Sequence, residues 1–185
     1  MVKTTVKDDF PEDFCIYDLN EFLTVHTLYK DTELDFKGND VVFKSASSKS
    51  KITYRKASKN NIVYAPDNDL EIEDALAEIT LTEDNLNTIS KSAHVLKHDS
   101  IAIESDGSKV YATSFEEKND SSHISKIELS DYDGEPFKAT FKTENLKLIP
   151  GKYKVIFSEN FAQFTNETLD LVYWIRSEEH TSELQ

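Results

Sequence analysis

The chain has 185 residues, 38% of them hydrophobic, with 35 acidic side chains against 21 basic ones, which is enough for one or two domains with real cores. A single Cys excludes an internal disulfide, no apolar run approaches the roughly 18 residues of a membrane span, and no secretory hydrophobic segment follows Met1, so the sequence reads as soluble and cytosolic. A net charge of −14 excludes a surface that attracts nucleic acid everywhere, so any contact with phosphates must be local.

Met1–Asp9 reads as an extended segment. Phe14-Cys-Ile-Tyr-Asp-Leu-Asn-Glu-Phe-Leu23 is a short strand running into a helix, with Asp18 placed to accept from the first free N–H groups and Glu21 at the capping-box distance. The period then changes from near 3.6 to 2, giving strands at Thr32–Lys37, Val41–Ser45 and Lys51–Lys56, the first two joined by a Gly38-Asn39 turn. Val41–Pro66 contains no acid and carries Lys44, Lys49, Lys51, Arg55, Lys56 and Lys59, a charge of +6 that leaves −20 elsewhere. Either these lysines discourage edge pairing on a solvated hairpin or they meet a phosphate or a partner.

Tyr64–Ala77 is an acidic, Pro-containing linker, and a domain boundary is expected near residues 66–78. Beyond it, Ile79-Thr-Leu-Thr-Glu-Asp-Asn-Leu-Asn-Thr-Ile89 repeats the strand-to-helix pattern, and Ala139-Thr-Phe-Lys-Thr-Glu-Asn-Leu-Lys-Leu-Ile149 repeats it again 60 residues later. Phe22 occupies the place of Leu86 in the earliest copy. The helix expected over Thr82–Lys97 turns Leu86, Ile89, Ala93 and Leu96 to the sheet and Asn87, Lys91, His94 and His98 away from it, with Lys97 at the border. Strands follow at Ser100–Ser105, Lys109–Phe115 and His123–Leu129, with an Asp106-Gly107 turn and an Asp131-Tyr-Asp-Gly134 turn between copies. A helix is expected near Thr143–Ile149, then strands over Lys152–Ser158 and Phe161–Ile175. The repeating unit is β-α-β-β-β, an α+β architecture with helices on one face of antiparallel sheets.

Phe14–Leu23, followed by Ser130-Asp-Tyr-Asp-Gly-Glu135 and Leu146-Lys-Leu-Ile-Pro-Gly-Lys-Tyr-Lys154, resembles the DNA polymerase sliding clamps of T-even-type bacteriophages over about Val6 to Ile175. The resemblance implies a DNA-clamp fold in a homotrimeric ring whose subunits have two domains of two repeats each. On that layout, residues 1–66 hold an incomplete first domain with only its second repeat, 67–78 the connector and 79–175 the second domain. Residues 176–185 look like a translated sequencing adapter. Another repeat is expected to be encoded before Met1.

In such a ring the helices line the hole. The resemblance therefore turns Asn87, Lys91, His94, Lys97, Lys142 and Lys147 towards duplex DNA, as point charges and donors without base readout. Asn20, Thr24 and Thr27 on the first helix add only neutral hydrogen bonding. Lys51, Arg55 and Lys56 fall at the expected subunit interface. The partners implied are DNA of any sequence, the phage polymerase, the clamp loader and late-transcription factors, in the cytoplasm of an infected bacterium, with no membrane.

No enzyme, cofactor or metal is called for. His94 and His98 lack the Glu and third ligand of a zinc site, Asp131–Glu135 lacks the spacing of a calcium loop, and Cys15 reads as a small buried hydrophobe. Neither a nucleophile elbow nor a Walker A loop occurs. The alternative from another class is a non-enzymatic β-rich structural or protein-binding module, such as a virion component.

Overall fold

The computed structural model describes residues 1–63, 70–119 and 121–178. The start of the expected connector and residues 179–185 of the expected foreign tail lie outside the described residues. In chain order the strands are β1 (Val2–Thr4), β2 (Thr32–Lys37), β3 (Asp40–Ser45), β4 (Lys51–Arg55), β5 (Ala77–Leu81), β6 (Ser100–Ser105), β7 (Lys109–Phe115), β8 (Ser125–Asp131), β9 (Phe137–Lys142), β10 (Tyr153–Phe157), β11 (Phe161–Asn166) and β12 (Leu171–Arg176). Helix α1 spans Leu19–Thr27 and α2 spans Glu83–Leu96, with short 3-10 turns at Lys59–Asn61 and Thr143–Asn145. The chain divides into a smaller unit, Val6–Asn68, and a larger one formed by Met1–Thr5 with Asp69–Gln185.

In the smaller unit β2-β3-β4 form an antiparallel sheet, and the strand expected around Cys15 is reduced to one bridge between Cys15 and Ala57. Asp18 caps α1 by accepting from the Glu21 N–H at 2.9 Å. Phe22 is the only fully buried residue of that helix, and its ring meets Phe43 and Tyr54 edge-on at 5.0 and 5.3 Å. Of the extended segment Met1–Asp9, Met1–Thr5 does not stay with this unit: β1 adds to β12 of the larger one, where the terminal ammonium donates to the Trp174 carbonyl at 2.8 Å.

The larger unit has two antiparallel sheets, β1-β12-β11-β10-β5 and β8-β7-β6-β9. The copies exchange their opening strands: β5 pairs with β10 of the later copy, and β9 pairs with β6 of the earlier one. Ile79 and Leu81 thus share a core with Val155 and Phe164, while Phe137, Ala139 and Phe141 meet it from the other sheet. Alternation in the strands decides which side chains enter that core.

Helix α2 begins with a reciprocal box, in which the Asn85 N–H donates to Thr82 Oγ1 at 3.1 Å and the Thr82 N–H donates to Asn85 Oδ1 at 3.0 Å. Ile89 and Ala93 bury against Ile101 and Ala112. Leu86 is only half-buried, and Leu96, expected on the buried stripe, is 37% exposed. The helix stops because Lys97 takes a left-handed conformation, φ 58°, which swings the next residue off the helical wheel. His98 is therefore buried rather than exposed, with its Nδ1 2.9 Å from Ser114 Oγ.

The helix expected near Thr143–Ile149 is a single 3-10 turn over Thr143–Asn145. Pro150 disfavours helical backbone at Ile149, and Gly151 has φ 154° with a Cβ position only 2.6 Å from Asn166 Nδ2. The copy keeps the helix-start sequence and loses the helix.

The β6–β7 turn uses Gly107 at φ 96°. Asp106 Oδ1 accepts from the Ser108 and Lys109 N–H groups at 2.9 and 3.0 Å and from Ser108 Oγ at 2.8 Å. These bonds, led by the Ser108 N–H, lower the Asp106 carboxyl from 3.8 to about 2. The folded state therefore gains from this charge above pH 3.8, and the gain disappears as the pH falls towards 2. Asp106→Asn is expected to reduce the melting temperature at pH 6 and to narrow its gap to the parent chain at pH 2; a gap constant with pH rules out the charge as the cause.

Candidate nucleic-acid interface

The face of α2 turned away from Ile89 and Ala93 carries Asn87, Lys91 and His94, all exposed, and Lys97 follows at the cap. Acids occupy the first turn, Glu83 and Asp84, as the helix dipole favours. The positive charge is thus concentrated in the C-terminal half, and a polyanion would meet Lys91, His94 and Lys97 first. Lys147 is exposed between half-buried Leu146 and Leu148, and Leu146 packs on the cluster beneath α2, so Lys147 belongs to the same layer.

Lys142 does not join that layer. Its register partner is Ser100, in a row with Ala102 and Thr140, whereas the neighbouring Phe141 pairs with Ile101 towards α2. Strand alternation therefore turns Lys142 to the sheet face opposite α2, where its ammonium contacts the Glu117 carboxylate. That hydrogen bond raises the Lys142 pKa.

On α1, Thr24 Oγ1 donates to the Asn20 carbonyl at 2.7 Å and Thr27 Oγ1 donates to the Thr24 carbonyl at 2.8 Å. Phosphate oxygens need donors, and these hydroxyls have already used theirs. In the smaller unit, an open trough of about 1020 Å³ beside β2 has Phe22, Leu34 and Phe36 in its wall with Asp8, Asp9 and Asp35 around them; carboxylates there disfavour DNA.

Three of the six basic residues in the stretch Lys44–Lys59 have carboxylate partners. Lys44 lies 2.5 Å from Asp35, Arg55 3.0 Å from Asp40, and Lys56 is clasped by Glu12 while donating to the Gly38 carbonyl at 2.7 Å. Of the three residues expected at a subunit interface, Lys51 alone is exposed without an ion pair among the described residues. It lies on β4, an edge of its sheet, and β8 with Glu128 and Asp131 is an edge of another.

Among the described residues no group of three or more His, Cys, Asp or Glu could hold a metal ion, and no helix is long and apolar enough to cross a membrane. Of the segment Asp131–Gly134, Asp131 ends β8 and Tyr132–Gly134 lie in its connection to β9.

Two copies that exchange their opening strands, the earlier one carrying a helix that is basic in its C-terminal half, have a sliding-clamp fold. Solved structures share it: a DNA polymerase III beta subunit from Eubacterium rectale, 15% identical with a TM-score of 0.66 over 96% of this chain and 51% of that one, and the Proliferating Cellular Nuclear Antigen of Entamoeba histolytica, 18% identical with a TM-score of 0.54 over 87% of this chain and 69% of that one. This chain thus spans about half the length of the former. The profile of the family described as gp45 sliding clamp, C terminal, matches residues 78–178, and the chain belongs to that family. Relatives named Sliding clamp include those of Vibrio phage KVP40, 29% identical over 94% of this chain and 80% of that protein, and of Enterobacteria phage T4, 27% identical over 92% and 78%.

Proposed function

We propose that this chain is a non-enzymatic subunit of a homotrimeric ring that encircles duplex DNA and tethers a phage DNA polymerase in the cytoplasm of the infected bacterium. The family match over residues 78–178 carries the reading. The α2 face supports it: Lys91 and Lys97 offer mobile point charges with no planar, bidentate group for reading bases, which suits sliding. Tethering works through effective concentration, since a ring replaces dissociation by sliding. A clamp loader must open such a ring, and the likeness to T-even-type clamps supports late-transcription factors as further partners.

Topology is the direct test. A ring is expected to remain on nicked circular DNA through gel filtration and to run off the same DNA once it is linearised. Equal retention on both forms would refute encirclement. Assembly tests the proposed subunit contact, in which β4 of one copy faces the acidic second domain of the next. Lys51→Glu is expected to shift sedimentation from trimer towards monomer, whereas Lys56→Glu would also place two carboxylates together at Glu12 and confuse assembly with folding. An unchanged trimer with Lys51→Glu would remove β4 from the interface.

A further inference from the structure

We propose that Lys142 is a clasp which fixes the connection between β7 and β8, and that its ammonium, committed to Glu117 on the face opposite α2, stands outside the phosphate-binding set. The second clause rests on the reading of α2 as the DNA-facing surface; the first stands without it.

The clasp closes a junction of three chain segments. The Glu117 N–H donates to Asp99 Oδ1 at 3.1 Å, while the Glu117 carboxylate takes the Lys142 ammonium, so the β7–β8 connection is held at two points in one residue. Asp99 is itself fixed, accepting from Ser100 Oγ at 2.9 Å and, through its carbonyl, from the Thr143 N–H at 2.9 Å. Thr143 Oγ1 then donates to the His98 carbonyl at 3.0 Å. The exit of α2, the β7–β8 connection and the end of β9 are thereby tied together. The Glu117 N–H, its leading partner, holds the Asp99 carboxyl below its ordinary range, as a charged acceptor in a satisfied junction should be.

Two observations separate Lys142 from Lys91 and Lys97. It lies on the opposite face of the sheet, and its surroundings are acidic: Glu117 and Asp99 both act on its charge. One ammonium among these carboxylates repels a phosphate rather than holding it. The side chains of Lys142 and Glu117 are 30% and 37% exposed, so the pair is partly sheltered and the loop, not the core, feels its loss.

Amide hydrogen exchange on the full chain, with DNA binding in parallel, tests both clauses. Lys142→Gln and Glu117→Gln are each expected to speed exchange at Glu116–Asn119 by about two- to fivefold, the range of a partly exposed ion pair. Lys142→Arg keeps the charge and should leave the rate unchanged, and 1 M salt should speed the parent chain but not Lys142→Gln. Unaltered exchange in both Gln variants overturns the clasp. In DNA binding, Lys142→Gln is expected to leave the slope of log affinity against log salt unchanged, whereas Lys91→Gln lowers it by about one. An equal fall for Lys142→Gln overturns the exclusion of Lys142. If Lys91→Gln has no effect either, it is the DNA-facing reading of α2 that fails, and the exchange rates still decide the clasp.

Discussion

Replacing Phe141 by Ala is expected to lower the unfolding free energy of the larger unit by about 3–5 kcal/mol. Phe141 is fully buried on β9, and its ring centroid lies 6.4 Å from Phe157 and 6.0 Å from Phe164, both on the other sheet. It therefore ties the exchanged strand β9 back to the sheet that holds the rest of its own copy, and truncation leaves a cavity that two sheets must close at once. A domain has only about 5–15 kcal/mol to lose, so the variant should be marginal. Urea unfolding gives the measurement: the midpoint should fall with little change in slope. Lys138→Ala, one strand position from Phe137 on the outer face, is the control and should stay within about 0.5 kcal/mol. If Phe141→Ala loses less than about 1 kcal/mol, the two sheets do not depend on this contact.

Local rules carried the sequence as far as elements, but not as far as pairing. Thr82 and Asn85 mark the start of α2, and Asp106-Gly107 marks its hairpin, because caps and turns are settled within a few residues. The exchange of β5 and β9 between copies is a long-range choice, and no neighbouring residue announces it. The failed helix at Thr143 shows the same limit from another side: the repeat alignment favours a helix, while Pro150 and Gly151 stop it within one turn. A helical wheel puts His98 on the exposed face because it assumes that the helix continues, and Lys97 ends it. For Lys142 the signal was present. Phe137, Ala139 and Phe141 alternate with Lys138, Thr140 and Lys142, a period of 2 that separates Lys142 from any helix-side group. Among the candidate site residues, those on α2 itself were the most legible, since one amphipathic helix fixes all of them together.

Exchanging Lys91 and Lys97 for Glu should have the largest effect on DNA. Each phosphate contact contributes about 0.9 to the salt slope, so losing two should reduce it by about 1.8, and the added carboxylates should weaken binding further at low salt. Polymerase processivity should fall with it, with no change in sequence preference, because neither side chain reads bases. Both positions lie away from Ile89 and Ala93, so the core is untouched. A Glu near the helix C-terminus does cost about 0.3–1 kcal/mol against the dipole. Lys91→Gln with Lys97→Gln avoids most of that cost and should retain about the same fall in slope. Lys51→Glu separates DNA contact from ring formation: it should impair assembly first, and DNA binding only as a consequence. If Lys51→Glu assembles normally yet loses DNA, while the α2 variants assemble and bind as the parent does, the basic surface that meets DNA lies on β4 and not on α2.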